Sequence, residues 1–155
     1  MRYTIDTVTS MIGASRYGYC PATIAWLLTD SRSLCFPDET LFFALQGKRD
    51  GHDYIRGLYD KGVRNFVVSR LPDRMDDYLE SNFLLVKDTL QALQTLAMAH
   101  RKEFAVPVIG ITGSNGKTIV KEWLYQLLEQ NYVVTRSPRS YNSQIGVPLS
   151  VWLMN

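Results

Sequence analysis

Long apolar runs are missing from this sequence. No stretch approaches the roughly eighteen consecutive apolar residues that a membrane-spanning helix needs. The opening residues, Met1-Arg2-Tyr3-Thr4-Ile5-Asp6, carry neither a long apolar core nor a small-residue cleavage site, so they do not read as a signal peptide. Cysteine is scarce. Cys20 and Cys35 lie too far apart for a metal knuckle and are too few for a disulfide framework. They read as two reduced thiols in a cytoplasmic protein. An excess of one charge is also lacking: 17 Lys and Arg against 15 Asp and Glu leave a net +2. That balance gives no electrostatic case for nucleic acid or an anionic membrane as main partner. No internal repeat or low-complexity tract is visible. What is present is 155 residues of ordinary globular composition, about one domain's worth.

Apolar runs alternate with helical patterns, which predicts an α/β fold. Leu41-Phe42-Phe43-Ala44-Leu45, Asn65-Phe66-Val67-Val68-Ser69 and Asn82-Phe83-Leu84-Leu85-Val86 read as buried strands. Tyr54 to Lys61 reads as a short helix stopped by Gly62. Asp88 is an N-cap for a longer helix, along which Leu90, Leu93, Leu96, Ala97, His100 and Phe104 recur at helical spacing. Beyond it the texture changes, and a domain boundary is expected near Phe104–Val106. Val106 to Ile111 and Tyr132 to Thr135 are expected as strands, with a helix from Ile119 to about Gln130 between them. An apolar tail, Val147 to Met154, closes the sequence.

The most informative segment is Ile109-Gly110-Ile111-Thr112-Gly113-Ser114-Asn115-Gly116-Lys117-Thr118. A strand-like run enters a glycine-bearing turn, and a helix pattern starts at the Lys-Thr pair. Such a loop aims successive backbone N–H groups at phosphate oxygens, and the helix N-terminus adds partial positive charge there. Gly113 and Gly116 supply the positive φ values and the close approach. Lys117 would reach the β- and γ-phosphates of ATP, and the Thr118 hydroxyl would ligate Mg²⁺. The general phosphate-loop pattern has glycine at its first position, where this sequence has Ile111. After Thr118 the only carboxylates are Glu122 and Glu129, both on the helix and poorly placed as a second metal ligand. With only two strands expected after Ala105, the sequence reads as a first domain, 1–104, followed by the opening of a second, 105–155. It is therefore expected to be a piece of a longer protein.

Gly110-Ile111-Thr112-Gly113-Ser114-Asn115-Gly116-Lys117-Thr118 resembles the ATP loop of the Mur ligases, whose own form is G-x-T-G-x-N-G-K-T; the missing first glycine is then a family trait. Asp30-Ser31-Arg32, Leu41 to Gly47 and Asp50-Gly51-His52-Asp53-Tyr54-Ile55 resemble that family's N-terminal uridine-nucleotide-binding domain. Asn142 and Ile145-Gly146-Val147-Pro148-Leu149-Ser150 are similar to the member that adds D-alanyl-D-alanine to UDP-N-acetylmuramoyl-tripeptide in peptidoglycan synthesis. The resemblance implies a small α/β N-terminal domain followed by the start of a phosphate-loop domain. It implies a cytoplasmic, monomeric ligase using ATP and Mg²⁺, which phosphorylates the peptide's terminal carboxylate and lets the dipeptide's amine displace the phosphate. It assigns Gly113, Ser114, Asn115, Gly116, Lys117 and Thr118 to ATP. Ser31, Arg32, Lys48, Arg49 and Asp50 go to the uridine nucleotide, and Asn142 lies near the reacting phosphates. The family's metal-binding glutamate, modified lysine and C-terminal domain have no counterpart in these residues, so the piece alone is expected to be inactive. In some bacteria this ligase is fused to an alanine racemase, and the sequence fits the head of such a fusion.

Plainer readings stand beside these. Asp30-Ser31-Arg32 fits an Asx-type turn. A lone histidine in Gly-His-Asp is more often a turn residue than a ligand, and His100 on a helix stripe reads as structural. Lys48-Arg49 is commonly solvated surface. Trp26, Trp123 and Trp152 read as core or interface. The tail from Val147, if exposed, is a self-association hazard. Two other functions stay open: a different Mur-type or folate-polyglutamylating ligase, or a nucleotide-binding module without catalysis.

Overall fold

The computed structural model describes residues 1–138 and 143–155. Its centre is a five-stranded sheet. The strands are β2 (Ser15–Tyr17), β4 (Trp26–Leu28), β5 (Thr40–Phe43), β6 (Asn65–Val68) and β7 (Asn82–Leu85), in the order β2-β7-β6-β5-β4. β4 through β7 run parallel and β2 closes one edge antiparallel to β7. A separate ribbon pairs β1 (Tyr3–Thr4) with β3 (Thr23–Ile24). The helices are α1 (Ile5–Ile12), α2 (Ile55–Asp60), α3 (Thr89–Lys102), α4 (Lys117–Leu128) and α5 (Gly146–Val151).

The central strands read as continuous apolar runs because both faces of the sheet are covered. Side chains alternate across it. Leu41, Phe43, Val67 and Leu84 face one cluster with Ile5, Val8, Leu93, Leu96 and Trp152. Phe42, Phe66, Val68 and Phe83 face the other, with Ile55, Leu58 and Val63. The α/β class expected from the sequence is the one observed. Asp88 caps α3 as expected, its carboxylate accepting from the Leu90 and Gln91 amides at 2.8 and 3.0 Å. The short helix after Tyr54 is α2, preceded by a 3-10 turn over Gly51–Tyr54 and ended at Gly62, whose φ is 98°.

Two expectations need correction. Val106 to Ile111 and Tyr132 to Thr135 do not form strands. Both are rich in β-forming residues, but a strand needs a neighbour to bond with, and none pairs with them among the described residues. Val108, Ile109 and Val133 are 69%, 60% and 96% exposed as a result. The stripe of α4 is likewise in solvent, with Trp123 and Leu127 at 65% and 68%. The apolar tail, by contrast, is not simply exposed. It folds as α5 against α3, and Trp152 enters the first core cluster. Residues on either side of the expected 104/105 boundary therefore pack together. His100 is structural, as expected: its ring nitrogens lie 2.8 Å from the Tyr3 hydroxyl and 3.0 Å from the Met154 carbonyl. Both cysteines are free thiols. Among the described residues no helix is long and apolar enough to cross a membrane.

Candidate functional site

Four parallel strands end side by side at Leu28, Phe43, Val68 and Leu85. In open α/β sheets, ligands bind beyond such carboxyl ends, where the loops are free to carry polar groups. Asp30-Ser31-Arg32 follows β4, Lys48-Arg49-Asp50 follows β5, and Ser69-Arg70 follows β6. The sequence-expected nucleotide residues thus share one edge of the sheet.

After β4, the Asp30 carboxylate accepts from the Arg32 amide at 3.0 Å and caps a 3-10 turn over Ser31–Ser33. It also holds the Arg32 guanidinium through Nε at 2.9 Å and Nη2 at 2.6 Å. This pairing with Arg32 lowers the Asp30 carboxyl to about 2. Ser31 sits at the first position of that turn, half-buried, with Arg32 exposed beside it. The Asx-turn reading and the binding reading therefore coexist: the turn is what presents the pair.

After β5 the chain makes a tight return. Gln46 and Asp50 form an isolated antiparallel bridge, and the Gly51 amide donates to the Leu45 carbonyl at 2.8 Å. Gly51 is required here. A Cβ would lie 2.6 to 2.7 Å from backbone atoms of Leu45 and Ala44, inside any tolerable contact. Gly47, Lys48 and Arg49 form the exposed tip. Arg49 Nη1 donates to the Tyr54 hydroxyl at 3.5 Å, which ties the tip to the 3-10 turn that follows it. The loops after β4 and β5 leave paired parallel strands and so start side by side.

Asp50 is the hub. Its Oδ1 accepts from the His52 amide at 3.0 Å and lies 2.6 Å from His52 Nδ1; its Oδ2 accepts from Arg70 Nη2 at 2.7 Å. The His52 amide, then the His52 ring and Arg70, hold the Asp50 carboxyl down to about 2. On the far side of the ring, His52 Nε2 accepts from the Ser69 amide at 3.1 Å. An amide can only donate, so the ring proton sits on Nδ1 and points at Asp50. Gln46 Nε2 adds a bond to Ser69 Oγ at 3.3 Å. His52 is in the 3-10 turn, as the plainer reading had it, yet its ring is buried and joins two loops. Sequence reasoning did not single out Gln46, Ser69 or Arg70. The available signal was position: Ser69 and Arg70 directly follow a parallel strand.

The second group of residues precedes α4. Gly113 and Gly116 take φ values of 146° and 76°, a region L side chains rarely adopt. Gly116 caps α4 in the left-handed conformation and, having no side chain, offers no cap bond of its own; a helix N-terminus of this kind favours an anion. Lys117 lies over the loop, its ammonium donating to the Gly113 carbonyl and, at 3.4 Å, to the Ser114 carbonyl. Two glycines at positive φ, a helix N-terminus and a lysine thus meet in one short loop, the composition that suits a phosphate chain. Asn142 lies outside the described residues. Glu122 pairs with Lys121 at 3.0 Å and with Arg136, which occupies it as a helix-surface group. Among the described residues no three His, Cys, Asp or Glu side chains converge to hold a metal.

A cavity of about 480 Å³ opens at the opposite, amino edge of the sheet, between Cys20, Asp38, Arg64, Asn65 and Asn82. It includes none of the residues above, so volume alone does not locate the site.

Comparison with known proteins adds to this geometry. Residues 111–155 match the family model described as the Mur ligase middle domain. The chain is 34% identical over 158 residues to the UDP-N-acetylmuramoyl-tripeptide–D-alanyl-D-alanine ligase of Bacillus subtilis (strain 168), covering 99% of this chain and 34% of that protein. Against the ligase of the same name from Escherichia coli (strain K12) the identity is 32%, covering 96% and 31%. MurF from Acinetobacter baumannii superposes with a TM-score of 0.89 at 27% identity, over 100% of this chain and 34% of that one. MurF ligase from Thermotoga maritima, solved in complex with ADP, gives 0.67 at 33% identity, over 81% and 28%. The chain spans about a third of the length of the curated relatives it matches. The resemblance read from the motifs thus extends over the whole chain in sequence and in fold.

Proposed function

We propose that this chain, Mur-ligase-like along its whole length, is the N-terminal third of an ATP-dependent ligase that joins D-alanyl-D-alanine to UDP-N-acetylmuramoyl-tripeptide. The observation that carries the reading is the agreement over 99% of the chain with a ligase of that name at 34% identity. Residues 1–104 form the uridine-nucleotide-binding part, and residues 105–155 open the ATP-binding central domain. The remainder of that domain would cover the exposed stripe of α4 and pair with Val106 to Ile111.

In this reading Ser31, Arg32, Lys48 and Arg49 face the nucleotide from the carboxyl edge of the sheet. The loop Gly113–Thr118 wraps the phosphates of ATP with its amides. Lys117 would leave the loop carbonyls to neutralise phosphate charge, and the Thr118 hydroxyl would help hold Mg²⁺. Asn142 is assigned to the reacting phosphates on the motif resemblance alone. ATP supplies the phosphoryl group that activates the peptide carboxylate, and Mg²⁺ offsets charge on the phosphates. The ligase acts as a cytoplasmic monomer. The ADP in the T. maritima structure supports the use of an adenine nucleotide.

Calorimetric titration of this chain with UDP-N-acetylmuramoyl-tripeptide tests the reading. Saturable binding at one site is expected. Folded chain that takes up no heat with this ligand would argue against the nucleotide-binding assignment.

A further inference from the structure

Resting on the nucleotide-binding reading above, we propose that Arg70 is a further contact to the diphosphate of the uridine nucleotide, and that Asp50 and His52 are positioning residues that build its rim.

The argument starts from which groups the loops leave free. Asp50 is flanked by the cations Lys48 and Arg49, and a carboxylate in a diphosphate site would ordinarily repel its ligand. Here both oxygens are already committed, Oδ1 to the amide and ring of His52, Oδ2 to Arg70. The negative charge therefore works inward, as an anchor. His52 extends the anchor to the next strand, since its Nε2 accepts from the Ser69 amide at 3.1 Å. The result ties the return after β5 to the end of β6, two strands that are direct neighbours.

What the anchor presents is cationic. The tip residues Lys48 and Arg49 are exposed, and the Arg70 side chain is 55% exposed although one nitrogen is held at 2.7 Å by Asp50. Neighbouring parallel strands lie about 5 Å apart, so the two loops start within reach of one diphosphate. A guanidinium has five N–H donors in a fixed fork. Asp50 holds one nitrogen of the fork; the remaining donors are of the kind that suits phosphate oxygens. An arginine without that tether would lose rotamer freedom on binding.

The test compares UDP with uridine on the 155-residue chain, by calorimetry for UDP and NMR titration for uridine. Arg70→Gln is expected to weaken UDP roughly tenfold, the scale of one charge-assisted hydrogen bond, while uridine affinity stays within about twofold. Arg70→Lys recovers part of the loss. Asp50→Asn removes a negative charge from an anion site, so simple charge repulsion predicts tighter UDP binding. The positioning role predicts weaker binding, and His52→Ala moves the same way. UDP affinity unchanged in Arg70→Gln, UDP and uridine affinity lost in parallel, or UDP bound more tightly by Asp50→Asn would each overturn the inference and leave nucleotide binding standing. A wild-type chain that binds neither ligand removes both. Arg70 is exposed, so its variants keep the test decisive even where Asp50→Asn fails to fold.

Discussion

The indole N–H of Trp152 donates to the carbonyl oxygen of Ala25 at 2.9 Å, across 127 positions of sequence. The ring is 7% exposed, with its centroid 5.4 Å from the ring of Tyr3 and 4.7 Å from that of His100. The stretch that follows the phosphate loop is therefore packed into the same core as the first strand of the chain. Trp152→Ala removes a large buried side chain and leaves a cavity, and a loss of about 3–5 kcal/mol in unfolding free energy is expected. Trp152→Phe keeps most of the contact but deletes the donor to Ala25, for a loss of about 1–2 kcal/mol. Urea unfolding of the two variants separates packing from the hydrogen bond. Equal losses would mean that the bond to Ala25, not the ring, holds the tail.

His100 makes the same region sensitive to acid. It is 1% exposed. Its Nε2 faces the Met154 carbonyl, which can only accept, so Nε2 carries the proton and Nδ1 accepts from the Tyr3 hydroxyl. Burial pushes the His100 pKa below its ordinary value of 6.5. The unfolded chain then takes up a proton at a pH where the folded chain does not. This contribution is complete above the unfolded value and is lost as pH falls from there through the folded value. Unfolding free energy measured from pH 7.5 downward is expected to fall more steeply below about 6.5 in the wild type than in His100→Gln. Parallel slopes would show that other groups dominate the titration.

Most of the sheet was legible because β5, β6 and β7 are buried on both faces, so their sequences are dense in Leu, Phe and Val. The cap at Asp88 and the stop at Gly62 were legible because each is one residue with one local job. The two- and three-residue strands β1 to β4 carry too few side chains to show a period, and their place is set by partners such as Thr40 and Leu85. Val106 to Ile111 misled for the opposite reason. Its residues have the composition of a strand, but pairing is a property of two segments and the second is not among the described residues. At the candidate site, Ser31, Lys48 and Arg49 were proposed through motif resemblance. Arg70 has no motif; only the parallel register of β5 and β6 brings it to Asp50.

Gly51 tests how much the nucleotide edge depends on the tight return after β5. A methyl group there would meet backbone atoms of Leu45 and Ala44 at 2.6 to 2.7 Å, and backbone cannot swing aside as a side-chain tip can. Gly51→Ala is expected to cost about 1–3 kcal/mol, the range for forced overpacking. The return carries Lys48 and Arg49, so UDP affinity should fall together with stability. Thermal melting and UDP titration of the same preparation check the coupling. A destabilised variant with wild-type UDP affinity would mean that the tip takes its shape from the ligand rather than from the turn.

The phosphate loop allows a charge contribution to be separated from a metal contribution. Lys117 donates to the Gly113 and Ser114 carbonyls, a resting place it would leave for a phosphate oxygen. Thr118 is the next residue, inside the first turn of α4. Lys117→Gln should weaken ADP with and without Mg²⁺, by about 10-fold or more, because a desolvated charge-assisted bond is lost in both cases. Thr118→Val keeps the shape and deletes the hydroxyl. It should leave Mg²⁺-free ADP binding close to wild type and remove the tightening that Mg²⁺ otherwise brings. ADP titrations of the chain and both variants, with Mg²⁺ and with chelator, give the four comparisons. If Thr118→Val retains the full Mg²⁺ effect, the metal is held without this hydroxyl. If Lys117→Gln binds ADP as tightly as the wild type, the loop's amides carry the anion without the lysine, and Lys117 is left with its carbonyl contacts alone.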